Sequence, residues 1–163
     1  MDRDRVTLMN PYAKYLGDRD PLSVIAATAQ ELTRLTGGMS AGAVNREPAP
    51  GKWSVRQVIC HLADTEMTFA FRLRQALAEP HHVIQPFDQD RWAERYGAYD
   101  LPSALELFTV VRRWNILLLS SVTPQDFERP VSHPERGAMT FRTLVETMAG
   151  HDLNHLGQIK PLP

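Results

Sequence analysis

Gly150-His151-Asp152-Leu153-Asn154-His155 sets two imidazoles four residues apart in a helical pattern, and what they must meet decides how the helices of this chain are arranged. At i and i+4 on a helix, side chains leave the same face with Cβ atoms about 6 Å apart, near enough to converge on one metal ion. Phe141, Leu144, Val145, Met148, His151, His155 and Ile159 share that face. With Met148 as its centre, both histidines lie within about 60° of the stripe. Thr140 is the expected N-cap, Met139 and Leu144 form a hydrophobic staple, and Pro161 stops the helix. Burying either imidazole without a partner would cost about 1 to 3 kcal/mol.

Three further segments carry helical periodicity. The first runs from Pro21 to Thr36, with Asp20 as N-cap and Gly37-Gly38 at its end. The second starts at Ser54, where Gln57 closes a capping box and Trp53 and Val58 form a staple, and continues to Ala78 before Glu79-Pro80. The third begins near Pro102, after Asp100-Leu101, and reaches Ser121 before Thr123-Pro124. No strand-like alternation of useful length is present, so the expected class is all-α, a four-helix bundle in a single domain over residues 1–163. The connections between helices exceed the usual 2 to 8 residues of an up-and-down bundle, which permits crossovers.

Among the remaining histidines the candidate third imidazole is His61, beside the apolar stripe of the second helix, about 100° from Leu62. It lies about 10 Å into that helix, and the midpoint of His151 and His155 lies about 10 Å from the end of the last one. Antiparallel helices would put all three at one level, whereas parallel ones with aligned starts would separate them by about 9 Å. A shared site therefore predicts that the second and fourth helices are antiparallel.

Composition narrows the function classes. A formal net charge of -1 over 163 residues gives no field for nucleic acid or an anionic membrane, so neither is an expected partner. No segment approaches the roughly 20 apolar residues of a membrane span. One cysteine, Cys60, and an N-terminus without a signal-peptide core point to a soluble cytoplasmic protein.

Lys52-Trp53-Ser54-Val55-Arg56-Gln57-Val58-Ile59-Cys60-His61-Leu62-Ala63-Asp64-Thr65-Glu66, followed by His151-Asp152-Leu153-Asn154-His155-Leu156-Gly157-Gln158-Ile159, resembles the DinB/YfiT-like family. The likeness extends to Asn10-Pro11-Tyr12-Ala13-Lys14-Tyr15-Leu16 and to the stretch from His133 through Phe141. It implies an up-down-down-up four-helix bundle, often a homodimer, with a divalent metal held by three histidines, here His61, His151 and His155. It also implies thiol S-transferase or hydrolase activity on a small electrophilic molecule, with a low-molecular-weight thiol as cosubstrate in the transferase case. The alternative is a non-catalytic metal-binding bundle that senses a ligand or supports dimer assembly.

Three neutral imidazoles leave a coordination position open, which would bring a bound water or thiol toward a pKa of about 7. Nitrogen ligands suit zinc and nickel equally. The spacing is not H-E-x-x-H, because Asp152 follows His151, so no general base carries over. Asp152, about 40° from the stripe centre, would orient a histidine or, as the plainer reading, pair with an arginine. Asp64 and Gln158 are weaker candidates to support a ligand. Arg72, three turns from His61, would attract an anionic substrate, against the blander reading of a salt bridge. Cys60 reads as a small core residue, His133 as a turn residue, and His81 and His82 as surface residues. Phe87, Trp92, Tyr96 and Tyr99, in the long connection before the third helix, are expected to pack on the bundle, with lining a pocket as the sharper alternative.

Overall fold

The computed structural model describes residues 9–160. Its frame is four long helices, α1 (Pro21–Thr36), α2 (Val55–Ala78), α3 (Leu101–Leu119) and α4 (Phe141–Ile159). Each begins where a side-chain oxygen can take up an otherwise unpaired backbone N–H. Asp20 accepts from the N–H of Ser23, Ser54 from Gln57, Asp100 from Ser103 and Thr140 from Thr143. Gln57 completes the capping box by accepting from the Ser54 N–H at 2.8 Å. α2 gives way to extended backbone at Glu79, as expected of the residue before a proline. α3 starts at Leu101 and stops short of Ser121, with Ser120 as its C-cap.

Helix directions follow from which residues share the two apolar clusters. One joins Phe69, Leu73 and Ala76 of α2 to Phe141, Leu144, Val145 and Met148 of α4; the other joins Val58, Ile59 and Leu62 to Leu156 and Ile159. The start of α2 thus meets the end of α4, and the two run antiparallel as the depth of the three histidines requires. Ile25 belongs to the first cluster and Leu32 to the second, so α1 runs with α4. Ala104 and Phe108 join the second and Leu119 the first, so α3 runs with α2. The order is up-down-down-up. Two consecutive parallel helices demand a crossover, and Arg56 in the first turn of α2 fastens it by donating to the carbonyls of Tyr96 and Tyr99.

The helical bundle also carries a small sheet that no alternation in the sequence announces. Three short strands, β1 (His82–Val83), β2 (Pro130–His133) and β3 (Gly137–Thr140), form it in the order β1-β2-β3. β1 pairs parallel to β2 through His82 with Val131, and β2 pairs antiparallel to β3 through Val131 with Met139. Elements of two and four residues are too short to show a period of two. Gly137, at φ 80°, supplies the left-handed residue where the hairpin enters β3. The sheet ties the crossover to the start of α4. His82, expected at the surface, is buried there with Nδ1 2.7 Å from Glu79 Oε2, while His81 is exposed. Of the aromatics in the crossover, Tyr96 is buried and Trp92 and Tyr99 are largely exposed. No helix among the described residues is long and apolar enough to cross a membrane.

Candidate metal centre

The antiparallel pairing of α2 and α4 brings His61, His151 and His155 together, all buried, with one nitrogen of each within 4.8 Å of the others. Nε2 of His61 and Nε2 of His151 are 3.0 Å apart. His155 Nδ1 lies 3.0 Å from Gln158 Oε1. An amide oxygen only accepts, so His155 carries its proton on Nδ1 and keeps a free lone pair on Nε2. Gln158 therefore supports a histidine, as its spacing suggested.

Burial governs the protonation of the cluster. It pushes His61 down to about 3, helped by the neighbouring His155, and lowers both His151 and His155 below the ordinary histidine value. At neutral pH the three rings are uncharged, which is the form that donates a lone pair to a metal. Neutral rings facing one another satisfy at most one N–H to N contact between them, and His61 Nδ1 is buried without a partner. The donor set therefore fits a shared cation better than mutual hydrogen bonding.

The rings are wedged in place by aromatic neighbours. Trp53 lies against His61 with centroids 4.9 Å apart, and Tyr12 meets His151 edge-on at 5.1 Å. Tyr12 comes this close because residue 150 has no side chain: a Cβ on Gly150 would stand 2.6 Å from the Tyr12 carbonyl oxygen.

Beneath the histidines all four helices meet at one buried guanidinium. Arg112 of α3 donates to both carboxylate oxygens of Glu66 on α2, to both of Asp152 on α4, and to the Ile25 carbonyl on α1. Thr28 adds a hydroxyl to Asp152 at 2.8 Å, and Asn115 adds its amide to Glu66 at 2.8 Å. Asp152 thus pairs with an arginine and does not orient a histidine. Burial pushes the Glu66 carboxyl up even against the pull of Arg112.

Neither Arg112 nor Glu66 was singled out from the sequence. Ala104, Phe108, Arg112, Asn115 and Leu119 recur at helical spacing as the buried face of α3, so the signal was two polar residues in an otherwise apolar stripe. Asp64 is corrected: it faces a groove with Tyr99, Ser103 and Leu107, away from the histidines. Cys60 is buried in the core, as expected.

On the other side, His61 and His151 border a cavity of about 380 Å³ that also takes in Tyr12, Phe69, Phe87, Arg72 and Arg136. The salt-bridge reading of Arg72 is corrected, because its Nη2 donates to the Gln85 carbonyl at 2.9 Å and its Nε is buried without a partner. His133, expected in a turn, is instead the last residue of β2, and its Nδ1 makes a turn hydrogen bond by accepting from the Glu135 N–H at 3.2 Å. Arg136, unremarked in the sequence, reaches this cavity from the β2–β3 hairpin.

The sequence profile of the DinB superfamily matches residues 25–159. The chain is 40% identical over 115 residues to an Oceanobacillus iheyensis protein named "Putative metal-dependent hydrolase", covering 69% of this chain and 66% of the relative. A Bacillus mycoides protein of the same description is 33% identical over 115 residues, covering 69% and 65%. The match thus spans just under two thirds of the length of these two relatives. A Bacillus cereus protein, also so named, is 30% identical over 135 residues, covering 81% and 77%. Among solved structures the chain is similar to YfiT from Bacillus subtilis, described as "a probable metal-dependent hydrolase with an unusual four-helix bundle topology". The TM-score is 0.76 at 22% identity, over 98% of this chain and 87% of that one, and the likeness is one of fold.

Proposed function

Because the chain belongs to the DinB superfamily, we propose that it is a metal-dependent hydrolase of a small electrophilic molecule, with His61, His151 and His155 holding a divalent zinc or nickel ion. The observation that carries this reading is a cluster of three neutral, buried imidazoles, with no carboxylate or thiolate among its members, bordering a cavity. Such a set is the protein share of an open site. A divalent ion held by His61, His151 and His155 would supply Lewis acidity there and would lower the pKa of water or a thiol toward neutrality.

The chain's own residues bind and orient. Gln158 holds His155 in one tautomer, while Tyr12 and Trp53 pack against His151 and His61 and exclude water from their flanks. The names of the relatives favour hydrolysis. Transfer of a low-molecular-weight thiol is the second reading of the same site, because soft thiolates also suit zinc and nickel.

Metal analysis of protein purified without an affinity tag tests the first premise. One equivalent of zinc or nickel, lost in His61→Ala and in His155→Ala, is expected; metal-free protein with unaltered metal affinity in both variants would sink the proposal. Ester and amide substrates assayed beside electrophiles paired with several thiols then separate hydrolase from transferase. Silence in both panels would favour a non-catalytic sensing or assembly role.

The homodimer is proposed to form on the exposed apolar face of α2 and α3. Leu107, Val110, Trp114 and Leu117 follow the three-four-three spacing of a helix-pairing seam, flanked by Met67 and Phe71. Sedimentation of the wild type and of Val110→Glu tests it, with a dimer expected for the first and a monomer for the second.

A further inference from the structure

We propose that Arg72 and Arg136 form an oxyanion subsite in the cavity beside the three histidines, so that the substrate carries a carboxylate or phosphate some distance from its reacting bond. The placement of the reacting bond rests on the function proposed above; the subsite itself does not.

The guanidinium groups come from different parts of the fold, Arg72 from α2 and Arg136 from the β2–β3 hairpin, and both line the same cavity. On α2, His61, Thr65, Thr68 and Arg72 all face it. The eleven residues from His61 to Arg72 span about 16 Å of helix axis, which suits a substrate several bonds long.

The pair combines a shared cavity with the absence of an ion-pair partner, and Arg72 Nε is buried as well. Arg34, Arg91, Arg112, Arg129 and Arg142 each have a carboxylate partner. Among the described residues neither Arg72 nor Arg136 has a carboxylate within ion-pair distance. Glu135 also lines the cavity, but it is exposed and pairs with neither.

Arg72 Nε is buried with no acceptor, and the Phe87 ring lies 5.7 Å from its guanidinium carbon. Burial and the charge of Arg136 together push Arg72 down to about 10. The same arginines, after burial itself, hold His133 below its usual value. A guanidinium in such a place keeps its charge and leaves donors unsatisfied, and a planar oxyanion is the group that satisfies them. Phe87 and Phe69 complete an apolar wall that strengthens any ion contact inside the cavity.

The test follows the Nε–H resonances of Arg72 and Arg136 in the ¹⁵N-labelled full chain as purified. Sodium acetate and inorganic phosphate are titrated separately against sodium chloride at matched ionic strength. Saturable shifts of both resonances with acetate or with phosphate, absent with chloride, are expected. Saturation by acetate assigns a carboxylate and saturation by phosphate a phosphoryl group. Arg136→Met should weaken binding about tenfold or more, the worth of one charge-assisted hydrogen bond, while the exposed control Arg113→Met leaves it unchanged. Shifts equal to those with chloride, absence of saturation, or full affinity in Arg136→Met would overturn the proposal. Repeating the titration in His151→Ala separates the two readings. Anion binding that persists in protein with no metal affinity leaves the subsite standing, and silent arginines in metal-loaded protein sink the subsite alone.

Discussion

Arg112 and Asp152, forty residues apart on α3 and α4, form a two-point ion pair in the centre of the bundle, with side chains only 1% and 2% exposed. Asp152 follows His151 directly in α4, and the same guanidinium grips Glu66 on α2, five residues beyond His61. The two helices that supply the histidines are thus locked in register through one residue of a third.

Replacing Arg112 by Met should therefore strand two buried carboxylates. A loss of about 3 to 5 kcal/mol is expected from removing one partner of a buried ion pair, read from urea denaturation. Asp152→Asn keeps the shape and one acceptor and should cost less. An Arg112→Met variant as stable as the wild type would mean that the network contributes nothing to register.

Gly150→Ala should push the Tyr12 segment off α4, since a Cβ at residue 150 meets Tyr12 backbone at 2.6 Å. Overpacking of this kind costs about 1 to 3 kcal/mol. Gly157→Ala, with nothing within 4 Å of the new carbon, should be neutral or stabilising by up to about 1 kcal/mol, the helix-propensity difference. Thermal melts should show a lowered midpoint for Gly150→Ala and an unchanged or raised one for Gly157→Ala.

Gln158→Ala removes the acceptor that fixes the His155 tautomer. Metal affinity should fall about 10- to 100-fold, the usual consequence of losing a residue that orients a ligand. Stability of the metal-free protein should barely change, since Gln158 is exposed. Competition with a chromogenic chelator measures the first effect and denaturation the second.

The metal-free protein should lose stability in acid through His61. Its native value lies near 3 because burial disfavours the charged ring, whereas an unfolded histidine titrates near about 6.5. Between those values the unfolded chain binds a proton that the native chain refuses, so stability rises with pH across the window. The full contribution is present above the unfolded value and is lost as pH falls toward the native one. The urea midpoint should therefore drop between pH 7 and pH 5, and His61→Gln should reduce that slope, the remainder coming from His151 and His155, which burial lowers as well.

Much of the bundle was legible because its signals are local. A helix start is a contact over three residues, so Asp20, Ser54, Asp100 and Thr140 could be read in order and recur as the caps of α1 to α4. That His61 could meet His151 and His155 if α2 and α4 run antiparallel was legible from depth and direction, because helical rise converts residue number into height. β1 to β3 were not legible, since strands of two to four residues owe their existence to partners far along the chain. His82 was misplaced at the surface for the same reason.

By itself the sequence determined four helices, their starting points, and one relation between two of them, antiparallel if three histidines are to share a level. These follow from interactions within a helical turn and from a constant rise per residue. Only the tertiary structure decided the surroundings of the histidines. It brought Arg112 between two carboxylates from other helices, set Tyr12 against Gly150, and gathered Arg72 and Arg136 into one cavity with neither of them ion-paired. Charge pairing and close packing depend on which distant residues become neighbours, and no local spacing carries that information.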